Sequence, residues 1–271
     1  MTSTQPAPLI GSPFPRVGEM PVLWANGKNA HPACEHKAIV DQDTGKVFCV
    51  TSKHYKFIQH ESAIVQVEDA LSKRRDFGDF SVLTEFYNDG GRMRRTHRFL
   101  EIASEVTKGD FVCPELHLFN SYDSEWPFVV LLGAFRIVCT NGLVVGQNLL
   151  YLRKRHMYEL GEINVNEEVS TALKRFRLQV RHWKRWTGRH LTPRVYGMVL
   201  ESMKLGIKAR DEVEGEVFRE AEGFDPDGFP ILTLWGFYNI LTGHVTHNAV
   251  SLNHEVGMQS RLRAATSHLM S

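Results

Sequence analysis

The sequence predicts an α+β protein: an antiparallel β-sheet formed first, with helices packed on one face of it and a helical C-terminal portion. Three observations predict this. Runs rich in β-branched and aromatic residues, separated by turn signals, crowd the β-rich stretch 45–151. Asn88-Asp89-Gly90-Gly91 and Thr140-Asn141-Gly142 carry residues that tolerate the positive φ angles of tight hairpin turns. From residue 165 to 243 the apolar spacing changes to that of helices.

The elements follow in order. Residues 1–20 are polar and proline-rich and read as a disordered leader, since they offer little apolar surface to bury. Val22 to Trp24 is a short apolar patch, followed by a Gly/Asn/His-rich loop through Pro32. Lys46–Val50 and Tyr55–Ile58 read as short strands around a bend. Ser62–Arg75 places Ile64, Val65, Val67, Ala70 and Leu71 at helical spacing. Phe80–Tyr87 and Arg92–Ile102 form a hairpin. Strands then follow at Glu115–Asn120 and from Phe128 through Val138, with the last over Leu143–Tyr151. The run Pro127–Val138 and its return Leu143–Gln147 form a hairpin about Thr140-Asn141-Gly142. Helices are expected at Glu167–Trp186, Pro193–Arg210 and Thr233–Leu241, with residues 251–271 a flexible tail. The domain proper is one α+β unit over 21–250.

Composition sets outer bounds. Of 271 residues, 42% are hydrophobic and 23% charged, ordinary values for a chain that buries a core. No apolar run approaches the roughly 20 residues of a membrane span. The N-terminal residues have neither a basic start nor an apolar segment, so no secretory signal is read there and a cytoplasmic location is expected. Cys34, Cys49, Cys113 and Cys139 lie far apart and read as reduced thiols.

The net charge of +1 hides an uneven distribution. On the helix from Glu167, Val169, Leu173, Phe176, Val180 and Trp183 fall on one side. Lys174, Arg177, Arg181, Lys184, Arg185 and Arg189 fall on an adjoining side. Cations at this density neutralise phosphates, and Trp186, His182 and Phe176 are residue types that stack on bases. The competing reading pairs those cations with the acidic block Asp211, Glu212, Glu214, Glu216, Glu220 and Glu222 downstream. A second basic run, Arg92 to Arg98, puts Arg92, Arg94, Thr96 and Arg98 on one strand face by alternation. It suits phosphate binding, or else a charged edge strand. Arg136, within an apolar strand, needs a partner if buried and is free to hold a ligand if exposed.

Catalytic patterns are absent from this reading. His31-x-x-Cys34-x-His36 and the His244, His247, His254 group have metal-ligand types without ligand spacing and read as polar loop histidines. No phosphate-cradling glycine loop or dinucleotide glycine pattern occurs. No enzyme, cofactor or metal is expected.

Three segments carry a family resemblance. They are Lys46 to Glu61, the Arg136-x-x-Cys139-Thr140-Asn141-Gly142-Leu143 core, and Thr233 to Thr242 with its Tyr238-Asn239-x-x-Thr242 pattern. Together they resemble the phage/plasmid-like "domain of unknown function 932" family. In that family an acidic residue often follows the last threonine, where this chain has Gly243. The expected helix therefore ends early and no acid is assigned there. The resemblance implies a mobile-element origin. With the basic elements it leads to the expectation of a single-stranded-nucleic-acid-binding protein, acting in annealing or recombination and working as a homo-oligomer. On that expectation Arg92, Arg94, Arg98, Arg177, Arg181, Lys184 and Arg185 hold phosphates and Arg136 positions the hairpin. The competing expectation is an anti-defence or regulatory protein that binds a host protein.

Overall fold

A computed structural model describes residues 14–73, 78–137, 150–154, 156, 165–247, 252–267 and 269. The α+β prediction holds. A long antiparallel ribbon, β1 (Val17–Asn26) and β2 (Asn29–Asp41), pairs with β3 (Val47–Ser52) as a three-stranded sheet. After α1 (His60–Ser72), β4 (Ser81–Tyr87), β5 (Arg92–Arg98), β6 (Ser104–Thr107), β7 (Asp110–Ser121), β8 (Phe128–Arg136) and β9 (Leu150–Lys154) build the main sheet. Its order is β4-β5-β7-β8-β9, with β6 paired to β7. The helices α2 (Val165–Trp186), α3 (Pro193–Met203), α4 (Ile207–Glu220), α5 (Leu234–His247) and α6 (Leu252–Ser267) complete the fold. A two-stranded β10–β11 pair (Gly223–Phe224, Pro230–Ile231) lies between α4 and α5.

Side-chain alternation divides the main sheet into two unlike faces. Met93, Leu116, Leu118, Phe128, Val130, Leu132 and Ala134 point to one face and join the main core. The helices supply the other half of that core, through Val67 and Leu71 of α1, Phe176 and Trp183 of α2, and Phe237 and Leu241 of α5. The opposite face carries Arg92, Arg94, Thr96 and Arg98 of β5 beside Glu115, His117 and Phe119 of β7. The alternation read from the sequence for β5 is therefore the one observed.

The β4–β5 turn shows why its residues are there: Asn88, Asp89 and Gly90 have φ of 52°, 50° and 84°. Short polar side chains and glycine occupy that left-handed region at low cost. Just upstream of α1, Tyr55–Ile58 is not the expected strand; it runs without regular structure into the helix. It is held by side chains instead. Tyr55 Oη donates to the Ser121 carbonyl, Gln59 Nε2 to the Val17 carbonyl, and the His60 amide to Tyr122 Oη. The His60 ring is fully buried between the Gly90 carbonyl, 3.0 Å from Nε2, and Asn120 Nδ2, 2.9 Å from Nδ1. The first resemblance segment is thus a clasp joining the three-stranded sheet to the main one.

The helical half departs from expectation in four places. Pro193–Arg210 is two helices rather than one, broken where Lys204 adopts φ 50° before Leu205-Gly206. The acidic block Asp211–Glu220 lies on α4, an element the sequence reading left out. Gly243 does not end the closing helix, which continues to His247. Residues 252–267 are a helix rather than a loose tail, because α6 buries Met258, Leu262 and Ala265. At the other end, β1 starts at Val17, inside the predicted leader, and the loop through Pro32 is half of the ribbon. Among the described residues no helix is long and apolar enough to cross a membrane.

Candidate functional site

The structure places the predicted site residues in three settings. On α2 the apolar stripe is buried: Ala172, Leu173, Phe176, Val180, Trp183 and Trp186 are each 5% exposed or less. Lys174, Arg177, Arg181, Lys184 and Arg185 are all exposed. At 100° per residue they run on from the edge of the buried side, Lys184 and Arg177 lying within about 40° of Leu173, so the stripe adjoins the buried one. The stripe from Lys174 to Arg185 is about 17 Å long at 1.5 Å per residue. Among the described residues no carboxylate comes within ion-pair distance of Lys174, Arg177, Arg181 or Lys184. The α4 acids that were their alternative partners turn elsewhere, Glu216 to Arg219 at 3.0 Å and Glu212 to Lys208 at 3.9 Å. Arg185 lies against His182 Nδ1, and Arg189, also exposed, donates to the Leu269 carbonyl at 3.5 Å. One expectation is corrected here. Phe176 and Trp186 are core residues, with the Trp186 indole N–H donating to the Leu269 carbonyl at 3.0 Å, so neither is a platform for a base.

The β5 arginines are held differently. Arg92 Nε meets Asp123 Oδ2 at 2.5 Å, Arg98 lies 2.8 Å from Glu115 Oε1, and Arg94 lies 3.7 Å from Glu85. Each also sits over an aromatic ring: Arg92 over Trp126, Arg94 over Phe119, and Arg98 over Phe135 at 3.7 Å from its centroid. Burial alone would raise the pKa of Glu115, yet His117 and Arg98 outweigh it and hold the carboxyl below its ordinary value. A phosphate approaching this face would have to displace a carboxylate already in place. β5 is hydrogen-bonded to β4 and β7, so it is an interior strand and needs no charge to guard an edge. The sheet itself separates this face from α2, and the two basic elements do not share a groove.

The third setting is where two resemblance segments converge. Arg136 ends β8 on the helical side and forms a two-pronged pair with Asp110 (Nε to Oδ1 2.7 Å, Nη2 to Oδ2 2.8 Å). The Trp235 indole N–H donates to the same Asp110 Oδ2 at 2.8 Å. Asp110 is 5% exposed, and three donors on one buried carboxylate tie β7, β8 and α5 together. One turn along α5, Asn239 Nδ2 donates to the Trp235 carbonyl at 2.9 Å, while its Oδ1 is buried without a hydrogen-bond partner. Arg136, Asp110, Trp235 and Asn239 line a cleft of about 960 Å³ whose outer wall is α4. Tyr238 points the other way, into an aromatic cluster with Trp183, Trp186 and Trp235, and burial pushes its phenol pKa up. Thr242 Oγ1 donates to the Asn239 carbonyl at 2.9 Å. Cys139, Thr140, Asn141 and Gly142 lie outside the described residues; β8 and β9, which flank them, pair antiparallel from Phe128↔Lys154 to Leu132↔Leu150.

Sequence reasoning missed Asp110, Glu115 and Asp123. Nothing local marks them, because each meets its arginine through strand pairing or a bend rather than through spacing in the chain. The histidines read as loop residues lie in regular elements: His31 on β2, stacked on Trp24 at 4.7 Å, and His244 on α5. Among the described residues no group of three His, Cys, Asp or Glu is placed to hold a metal ion.

Fold and site together define a class: an α+β protein in which the β8 arginine and the α5 helix are joined through one buried aspartate. The family model described as "Domain of unknown function (DUF932)" matches residues 47–266, most of the chain, and the chain belongs to that family. Two similar curated proteins come from Escherichia coli (strain K12). UPF0380 protein YafZ is 32% identical over 105 residues, which is 39% of this chain and 37% of that protein. UPF0380 protein YfjQ is 31% identical over 105 residues, with the same coverage of each chain. The chain thus matches little more than a third of the length of either relative. No solved structure matches it.

Proposed function

We propose that this protein binds the backbone of single-stranded DNA through the exposed face of α2 and serves a mobile element, a phage, prophage or plasmid, in strand annealing or recombination. One observation carries the reading: Lys174, Arg177, Arg181, Lys184 and Arg185 stand in solvent on one helix face, and no described carboxylate neutralises the first four. A stripe of uncompensated cations costs self-repulsion in the free protein and is relieved by a polyanion. The same face has Leu178 exposed at 53% and no exposed tryptophan or phenylalanine, so backbone charge rather than base stacking supplies the affinity. Arg92, Arg94 and Arg98 take no part in this interface, being committed to carboxylates on the far side of the sheet. Arg136 acts within the fold, positioning the end of β8 through Asp110.

Fluorescence-anisotropy titration of a labelled oligonucleotide tests it. With about five phosphate contacts, log affinity falls against log salt with a slope near −3.5 for a single strand, so affinity drops about a hundredfold between 50 and 200 mM salt. Charge reversal at Arg177, Arg181 and Lys184 together abolishes binding and leaves thermal unfolding unchanged. The competing function, an anti-defence or regulatory protein acting on a host protein, is favoured by the solvated acids of α4 and requires capture of a stable protein partner in pull-downs with no oligonucleotide binding at low salt.

A further inference from the structure

Beyond its pairing with β3, the β1–β2 ribbon projects as a finger. β3 reaches along β2 no further than Glu35, whose carbonyl accepts the Lys53 amide. From there, among the described residues, the two strands pair only with each other, through Leu23↔Pro32, Trp24↔His31, Ala25↔Ala30 and Asn26↔Asn29. Gly27, at φ 62°, closes the turn and leaves Lys28 at the tip. Of residues 20–36 all but Val22 and Ala33 are exposed, so both faces of the finger stand in solvent. From Pro21 to Asn26 it extends about 20 Å at ~3.3 Å per residue.

Partners across an antiparallel pair share a face, so the finger has two unlike sides. One carries Leu23, Ala25, Ala30 and Pro32; the other carries Trp24 and His31 with the amides of Asn26 and Asn29. The Trp24 and His31 rings are stacked, with centroids 4.7 Å apart and planes at 26°. The indole is nonetheless 51% exposed. No Asp or Glu occurs from Met20 to Cys34, and among the described residues no carboxylate lies within ion-pair distance of Lys28. A purely apolar partner on this side would strip water from the imidazole, the two amides and the lysine without replacing its hydrogen bonds. A nucleobase offers a flat π surface, polar edges and an adjoining phosphate, which match the indole, the amides and the lysine.

We propose that the Trp24 side of this finger is a base-stacking site for single-stranded DNA. A nucleobase stacks on Trp24, His31 holds the indole from its other face, and Lys28 meets the neighbouring phosphate. This rests on the nucleic-acid reading above and supplies what the α2 face lacks, an exposed aromatic platform.

Anisotropy titrations of a thymidine oligonucleotide, and of an abasic strand with the same phosphates, test it. Trp24→Ala is expected to weaken binding of the thymidine strand about tenfold, with the salt slope and melting temperature of the wild type, since stacking is uncharged. Trp24→Phe keeps a ring and is expected to bind within about threefold of the wild type. The abasic strand is expected to bind both the wild type and Trp24→Ala as weakly as the thymidine strand binds Trp24→Ala. Trp183, Trp186 and Trp235 are buried and Trp126 is half-buried, so quenching of tryptophan emission by the bound strand is expected in the wild type and lost in Trp24→Phe. Equal affinity of the wild type and Trp24→Ala, or of the wild type for the two strands, overturns the finger and leaves the α2 reading in place. If the α2 reversal binds as tightly as the wild type and Trp24→Ala does not, the finger stands and the α2 reading falls. No binding by the wild type overturns both. A fall in mass by light scattering on Trp24→Ala, with oligonucleotide affinity unchanged, assigns this side to a second copy and also overturns the proposal.

Discussion

At the scale of single residues, the fold depends on a few buried polar groups whose partners come from distant parts of the chain. Asp110 accepts from both Arg136 and Trp235, so Asp110→Asn leaves a guanidinium that is 19% exposed without its counter-charge. The cost is about 2–4 kcal/mol in urea denaturation, since removing one partner of a buried pair strands the other. His60 gives a pH signature. Burial, chiefly, holds its pKa down from 6.5 to about 4. A histidine depressed in the folded state binds fewer protons there than in the unfolded state, so its contribution is complete above pH 6.5 and is lost as the pH falls toward 4. The loss amounts to roughly 3 kcal/mol. Urea midpoints at pH 7.5 and 4.5 check this: His60→Gln flattens the dependence, and an equal acid loss in both proteins would contradict it. Neither role was legible in the sequence. His60 sits in the Lys46–Glu61 segment, but its partners Gly90 and Asn120 lie 30 and 60 residues away.

At the scale of elements, what the sequence showed and what it hid divide along local and non-local physics. α2 was legible within two residues of its start because an apolar stripe and a helix terminus are local signals. Its cationic stripe beside the apolar one was legible too, but not the burial of Trp186, whose indole N–H meets the Leu269 carbonyl just beyond α6, a helix the sequence did not reveal. The break between α3 and α4 was hidden because it is made by a lysine in the left-handed region rather than by proline or glycine. β5 was legible as a strand with one arginine-rich face. That the face is neutralised was not, because Glu115 and Asp123 arrive only when β7 pairs beside it. On α2, then, the reversal of Arg177, Arg181 and Lys184 touches no core contact. It is expected to abolish oligonucleotide binding while far-UV circular dichroism and the unfolding midpoint stay those of the wild type.

At the scale of the whole molecule, charge is sorted by side: cations on the outer face of α2, acids on α4 around the cleft, and paired charges across the far face of the sheet. The β1–β2 ribbon adds an apolar surface, with Met20, Leu23 and Trp24 more than half exposed. Exposed apolar groups on a two-stranded ribbon are a common place for a second chain to pack. If the protein works as the homo-oligomer expected from its sequence, Leu23→Ser with Trp24→Ser lowers the mass found by light scattering to that of a monomer. An unchanged mass would place the contact elsewhere.

The most direct test of the central claim, that α2 is a nucleic-acid-binding face, is the salt dependence of single-stranded oligonucleotide binding for the wild type and the Arg177/Arg181/Lys184 reversal side by side. The account predicts tight binding at low salt, a log–log slope near −3.5 for the wild type, and no measurable binding for the folded variant. Equal binding by both proteins, or no binding by the wild type at low salt, would contradict it.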